Sequence, residues 1–185
     1  MIEEFIADGR DRMDKAVATC QHEFNTVRTG RASTALLDRI TVDYYGTRTP
    51  LKQLANISTP EARLLVVTPY DKSAMKEIEH AILESELGLN PNNDGNVIRL
   101  AIPELTEERR RELVKVVKGL AENARVAVRN VRRHVLQDIK DLQKGGEISE
   151  DELHWAEDEM QKVTDAHTEK VDEMLKHKEE EILEV

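Results

Sequence analysis

The sequence predicts an α+β protein: an elongated three-helix bundle interrupted by a small inserted α+β segment. Three observations carry this. Residues 109–144 hold one apolar stripe at steps of three and four, as a long α-helix requires. Residues 1–28 and 150–182 carry similar stripes at either end of the chain. Between them the period drops to two at Ile40, Val42 and Tyr44, the signature of a strand. No single amphipathic helix can bury its stripe alone, so the simplest solution packs the three together. Residues 1–29 and 105–185 then form the bundle, and 30–104 form the insert.

The first helix is expected over 1–28, with Ile2, Ile6, Met13, Val17, Cys20, Phe24 and Val27 on one face and a gap at Gly9. Cys20 is the only cysteine and lies on that face, so it reads as a core residue. Thr29-Gly30-Arg31 breaks the pattern. In the insert, Ile40–Tyr45 and Val97–Ile102 read as strands, and Leu64–Val67 as a short buried one. Asp71 can cap a helix running to Leu87, with Tyr70 and Met75 as a hydrophobic staple. Gly88 and Pro91 end that helix, and Asn93-Asp94-Gly95 is a turn.

Thr106 caps the long rod, and Glu107 and Glu108 favour the positive end of its dipole. The stripe runs Leu113, Val117, Leu120, Ala124, Val128, Val131, Val135, Ile139 and Leu142. A rod of nearly 40 residues is about 55–60 Å long. Gly145-Gly146 stops it. Ser149 and Glu152 form a capping box with Ile148 and Leu153 as its staple, and the last helix follows through Ala156, Met160, Val163, Val171, Leu175 and Ile182. Trp155 sits just off this stripe, where interface packing is the default role. The two chain crossings between bundle and insert, near Gly30 and Glu104, suit a hinge made of Thr29, Gly30, Arg31, Glu104 and Leu105, and Gly30 suits equally a C-cap for the first helix.

Charge is distributed unevenly along the chain. The net value is −10, yet residues 105–144 carry 11 Lys/Arg against 6 Asp/Glu, and residues 147–185 carry 4 against 15. Charges are screened over about 8 Å at cellular ionic strength, so a ligand at the rod feels the local surplus. Stepping about 100° per residue places Arg111, Lys115, Lys118, Arg125, Arg129, Arg132, Arg133 and Lys140 near the face opposite the stripe. Glu122 is the only acid in that row between Arg111 and Arg133. Such a row of cations on a rigid helix suits a polyanion with regularly spaced phosphates. A solvated, acid-paired face is the common alternative for such a stripe. Aromatic residues make up 3% of the chain, which favours phosphate and shape contacts over base stacking.

Other chemistries find little support. Glu77-x-x-His80 stands alone, whereas a di-iron bundle needs two such elements. The histidines lack zinc spacing, and one cysteine cannot build a thiolate site. No Gly-x-x-x-x-Gly-Lys-Ser/Thr loop is present to bind GTP. No 18-residue apolar run is present to cross a membrane. Met1-Ile2-Glu3-Glu4 resembles neither a secretion signal nor a transit peptide, so a cytoplasmic protein without cofactors is expected.

Short segments spread in order along nearly the whole chain resemble the ribosome recycling factor family. They include Thr26-Val27-Arg28-Thr29-Gly30-Arg31-Ala32, Val42-Asp43-Tyr44-Tyr45-Gly46, Pro69-Tyr70-Asp71 and Leu87-Gly88-Leu89-Asn90-Pro91. Ile102-Pro103-Glu104-Leu105-Thr106, Ala127-Val128-Arg129-Asn130-Val131-Arg132-Arg133 and Glu147-Ile148-Ser149-Glu150-Asp151 complete the set. The resemblance implies an L-shaped, tRNA-sized molecule whose insert is a β/α/β sandwich. It implies a monomeric, non-enzymatic factor that works with elongation factor G and GTP to split the post-termination ribosome and free messenger RNA and tRNA. It further implies that Arg28, Arg31, Arg129, Arg132 and Arg133 contact large-subunit ribosomal RNA. Lys118 and Arg125 join them on the helical-wheel argument alone. The competing expectation is a helical scaffold or adaptor that binds proteins through its long helices, with the acidic last helix as its face.

Overall fold

The computed structural model describes residues 1–183. The chain divides into two compact units: Met1–Thr29 together with the chain from Thr106 onward, and Gly30–Leu105.

The first unit is three helices, α1 (Ile2–Asn25), α4 (Glu107–Lys144) and α5 (Glu150–Leu183). Helix α1 stops at Asn25, short of the expected Arg28. The Thr26 hydroxyl donates to the Glu23 carbonyl at 2.6 Å, and the N–H groups of Thr26 and Val27 turn back to Glu23 and Phe24. These three-residue steps tighten and close the last turn. Val27 therefore falls outside the helix and is half-buried.

The apolar stripes meet largely as their spacing predicts, though Leu142 on α4 and Leu175 on α5 are only half-buried and one place on α4 is taken by another residue. Leu113, Val117, Ala124, Val128, Val131, Val135 and Ile139 are buried on α4, but Ala121 takes the buried place and Leu120 is only half-buried. At Gly9 the first helix comes close to side chains of both others. A Cβ placed there would lie 3.0 Å from Val135 Cγ2 and 3.1 Å from Met160 Cε. The gap in the first stripe is thus the room that α4 and α5 need. Along α5 the stripe between Val163 and Val171 is completed by polar residues that periodicity did not flag, Thr164 and His167. Thr164 donates to the Met160 carbonyl at 2.7 Å. His167 lies 2.6 Å from Asp14 on α1 through Nε2 and 2.6 Å from the Val163 carbonyl through Nδ1. Cys20 is buried in the bundle, and burial raises its thiol pKa. Trp155 is nearly half exposed, so the expected interface packing is not what this structure shows.

The helix ends obey local chemistry. Thr106 Oγ1 accepts the Arg109 N–H at 3.1 Å. Ser149 Oγ accepts the Glu152 N–H at 3.1 Å while Glu152 Oε1 accepts the Ser149 N–H at 3.3 Å, a complete capping box. Between them Gly145 N–H returns to the Asp141 carbonyl and Glu147 N–H to Leu142, which satisfies the last carbonyls of α4.

The second unit holds two antiparallel sheets over one core. The hairpin β1 (Thr41–Tyr44) and β2 (Thr47–Pro50) forms one sheet. The other has the order β3 (Ala55–Glu61), β4 (Leu64–Pro69), β6 (Ile98–Ala101), β5 (Pro91–Asn93). A single turn, α2 (Leu51–Leu54), precedes β3, and α3 (Met75–Glu84) packs against β1. Val42, Leu51, Leu65, Val67, Ile78, Ile82, Ile98 and Leu100 form the shared interior. Here the expected α3 is too long. Asp71 does cap, but it caps a 3₁₀ turn over Lys72–Ala74, and α3 ends at Glu84, where the Ser85 hydroxyl donates to the Ile82 carbonyl at 2.6 Å. Tyr70 is largely exposed, so the staple it was expected to form with Met75 is absent. Strand β3 carried no apolar alternation because most of it is exposed at a sheet edge.

Asp94 fixes the turn before β6. It accepts the N–H groups of Asn96 and Val97, each at 2.9 Å, and pairs with Arg99, which together lower its pKa to about 2. A depressed carboxylate stabilises the folded state above its unfolded pKa and loses that effect as pH falls through the folded value. Thermal unfolding of Asp94→Ala is expected to show a lower Tm than the parent at pH 7. The gap should narrow between about pH 4 and pH 2. A gap independent of pH would contradict the charge-based account. Gly9→Val should destabilise the chain by about 1–3 kcal/mol in urea unfolding, because Val135 and Met160 leave no room.

Candidate nucleic-acid interface

The cations of α4 differ in what they touch. Arg133 and Lys118 are exposed, and neither has an ion-pair partner among the described residues. Arg129 is about half exposed, and its guanidinium lies 3.4 Å from Glu122 Oε1. Arg132 is half-buried beside α5 and donates through Nη1 to Gln161 Oε1 at 3.1 Å. Gln161 Nε2 in turn donates to Asp165 Oδ1 at 2.8 Å.

Arg125 is different in kind. Its side chain is only 20% exposed, with Asp172 Oδ1 on α5 at 2.6 Å and Glu122 at 3.1 Å. Burial would lower its pKa, but hydrogen bonds to Asp172 and Glu122 and their charges raise it above the ordinary guanidinium value. The wheel placed it in the open row; the structure places it in the α4–α5 seam as a structural cation. The reason lies in the tertiary packing. Arg125 and Arg132 stand roughly 60–80° from the centre of the buried stripe, on the shoulder where α5 lies, not opposite it. Glu122 was visible as the one acid within the row; Asp172, 47 residues further on, was not.

Arg28 is exposed in the segment after α1, and Arg31 is exposed just beyond it, in the other unit. At the crossings, Thr29 is buried and Gly30 has φ +79°, a left-handed conformation that L side chains rarely adopt. A Cβ on Gly30 would also meet Leu105 Cγ at 3.2 Å. Gly30 lies five residues past Asn25, the last residue of α1, so it does not cap that helix. Glu104 is ion-paired with Arg63 inside the second unit. The second unit ends at Leu105, one residue beyond the Glu104 boundary expected from sequence.

His80, of the Glu77–His80 element, faces Glu84 at 3.0 Å. Among the described residues no three His, Cys, Asp or Glu side chains gather as metal ligands. No described helix is long and apolar enough to cross a membrane.

A capped helical rod carrying cations and packed against two further helices, together with a small two-sheet unit, makes up the chain. The chain belongs to the ribosome recycling factor family, whose model matches residues 20–183. It is 56% identical over 185 residues to the ribosome-recycling factor of Bacillus subtilis (strain 168), covering 100% of both chains. The relative from Bacillus cereus (strain G9842) is 57% identical over the same span. A solution structure of the ribosome recycling factor matches with a TM-score of 0.75 at 44% identity, over 100% of this chain and 98% of that one. The T. thermophilus ribosome recycling factor, described with E. coli elongation factor G bound to the E. coli post-termination complex, matches with a TM-score of 0.65 at 46% identity, over 99% of both chains.

The sorting of the arginines gives a direct test by denaturation. Arg125→Ala should cost about 0.5–1.5 kcal/mol in urea unfolding, since it strands Asp172 and Glu122 and opens the seam. Arg133→Ala should stay within about 0.5 kcal/mol of the parent. Equal effects would mean that the two arginines share one environment.

Proposed function

We propose that this chain acts on the post-termination ribosome by docking α4 on large-subunit ribosomal RNA. Together with elongation factor G and GTP, it separates the subunits and releases messenger RNA and tRNA. The observation that carries this reading is the run Arg129, Arg132 and Arg133 on one rigid helix, with Lys118 further along the same rod. Guanidinium groups fork onto phosphate oxygens, and a helix held on two sides keeps their spacing fixed. Arg28 and Arg31, both exposed, are further cations available to ribosomal RNA. Arg125 supports the same surface from behind by holding α5 against α4.

The nucleotide enters with the partner, because this chain lacks a phosphate-binding loop. Force from that partner needs a stiff body to act through, and the capped, tightly striped bundle supplies one. Thr29, Gly30, Arg31, Glu104 and Leu105 form the hinge at the two crossings, where the second unit turns relative to the bundle. The protein works as a monomer in the cytoplasm.

Arg132→Glu should weaken binding to large ribosomal subunits at least tenfold and leave helix content unchanged by circular dichroism. Binding of the parent should fall steeply with salt, on the order of one unit of log–log slope per phosphate engaged. Light scattering should then show subunit dissociation by the parent with elongation factor G and GTP, and little by the variant. Normal dissociation by Arg132→Glu would refute the assignment of this face. Salt-independent capture of proteins without RNA would instead favour the scaffold reading.

A further inference from the structure

The two α4 arginines that lean on α5 meet opposite fates there. Arg125 meets two carboxylates, Asp172 at 2.6 Å and Glu122 at 3.1 Å, so its charge is compensated within the fold. Arg132 sits seven residues on, two turns along the same shoulder, and meets a neutral amide: its Nη1 donates to Gln161 Oε1 at 3.1 Å. Asp165, one turn further on α5, does not reach Arg132 directly. It accepts from Gln161 Nε2 at 2.8 Å. That second bond fixes which way the amide points. Turned over, the amide would put its NH₂ against the guanidinium and its oxygen against a carboxylate, a donor facing a donor and an acceptor facing an acceptor.

We propose that Gln161 is a positioning residue for the RNA-binding face. It holds Arg132 in place through an uncharged oxygen and keeps Asp165 one residue away, so the arginine is ordered without being neutralised. This rests on the preceding reading that Arg132 binds phosphate. The physical logic is a division of two costs. A long, mobile arginine loses side-chain entropy when it grips a phosphate, and prior ordering reduces that loss. Ordering by a carboxylate would carry a penalty, because phosphate must then displace an existing ion pair. Ordering by an amide carbonyl gives the first without the second. Only one oxygen-for-nitrogen exchange, Gln161→Glu, separates this arrangement from the one at Arg125.

The test is binding of the full chain to large ribosomal subunits across a salt series. Five proteins are compared: the parent, Gln161→Glu, Gln161→Ala, Arg132→Gln and the Gln161→Glu/Arg132→Gln double variant. Gln161→Glu should bind about threefold to tenfold more weakly at low salt, with a log–log salt slope shallower by about one phosphate contact, and with an unchanged Tm. In the Arg132→Gln background, Gln161→Glu should have almost no further effect. Gln161→Ala, which removes the holder without adding charge, should lose about twofold and keep the parent's slope.

The failures are separable. If Arg132→Gln binds like the parent, the RNA-binding face itself is wrong and this inference goes with it. If Arg132→Gln weakens binding but Gln161→Glu does not, only the role of Gln161 is overturned. It is also overturned if Gln161→Glu weakens binding by the same factor with and without Arg132, since that is general repulsion by an added carboxylate.

Discussion

Burial of the α4 stripe between α1 and α5 is the constraint from which the rest of the structure follows. A helix of 38 residues is about 57 Å long and, standing alone, would fray and bend. Val117, Ala121, Val128, Val135 and Ile139 are fully or almost fully removed from water, so the rod is fixed in rotation as well as in position. That rotation decides which residues face outward. Gly9 makes it possible where a side chain on α1 would push against Val135 and Met160. The outward row of cations is therefore a consequence of core packing rather than a separate device.

The same packing sorts charge. Helix α5 is acidic, and a strongly negative helix against a positive one could have cancelled the row entirely. It cancels only part. Asp172 reaches Arg125, and Glu122 of α4 itself reaches Arg125 and Arg129. Beside Arg132 stands Gln161, and Asp165 is held off behind it. Arg133 and Lys118 are exposed and meet no acid among the described residues. One helix thus contributes both structural cations and available ones, and the neighbouring helix determines which is which.

The second unit shows how far local chemistry reaches. Asp94 holds its turn where the sequence places one, Asp71 caps a 3₁₀ turn instead of the helix expected, and Ser85, which the sequence did not single out, closes α3. A 3₁₀ turn capped by Asp71 and a shorter helix closed by Ser85 stand in place of one longer helix, and Tyr70 stays exposed. The exposed edge strand β3 was invisible for the complementary reason. Its hydrogen-bonding partner is β4, and with only Ala55 buried and Ile57 partly buried it shows little alternation of burial along its length.

The sequence by itself determined the three stripes, the caps at Thr106 and Ser149, the stop at Gly145-Gly146 and the basic character of the rod. These depend on residues within a few positions of one another, so helical geometry alone makes them readable. The polar seal of Thr164 and His167, the extra edge strand and the fate of each arginine were decided only in three dimensions. Arg125 and Arg132 look alike on a wheel and differ because Asp172 and Gln161 arrive from a helix that folds back alongside. Electrostatic compensation acts through space over a few ångströms, and no spacing along the chain encodes which side chain a returning helix will bring there.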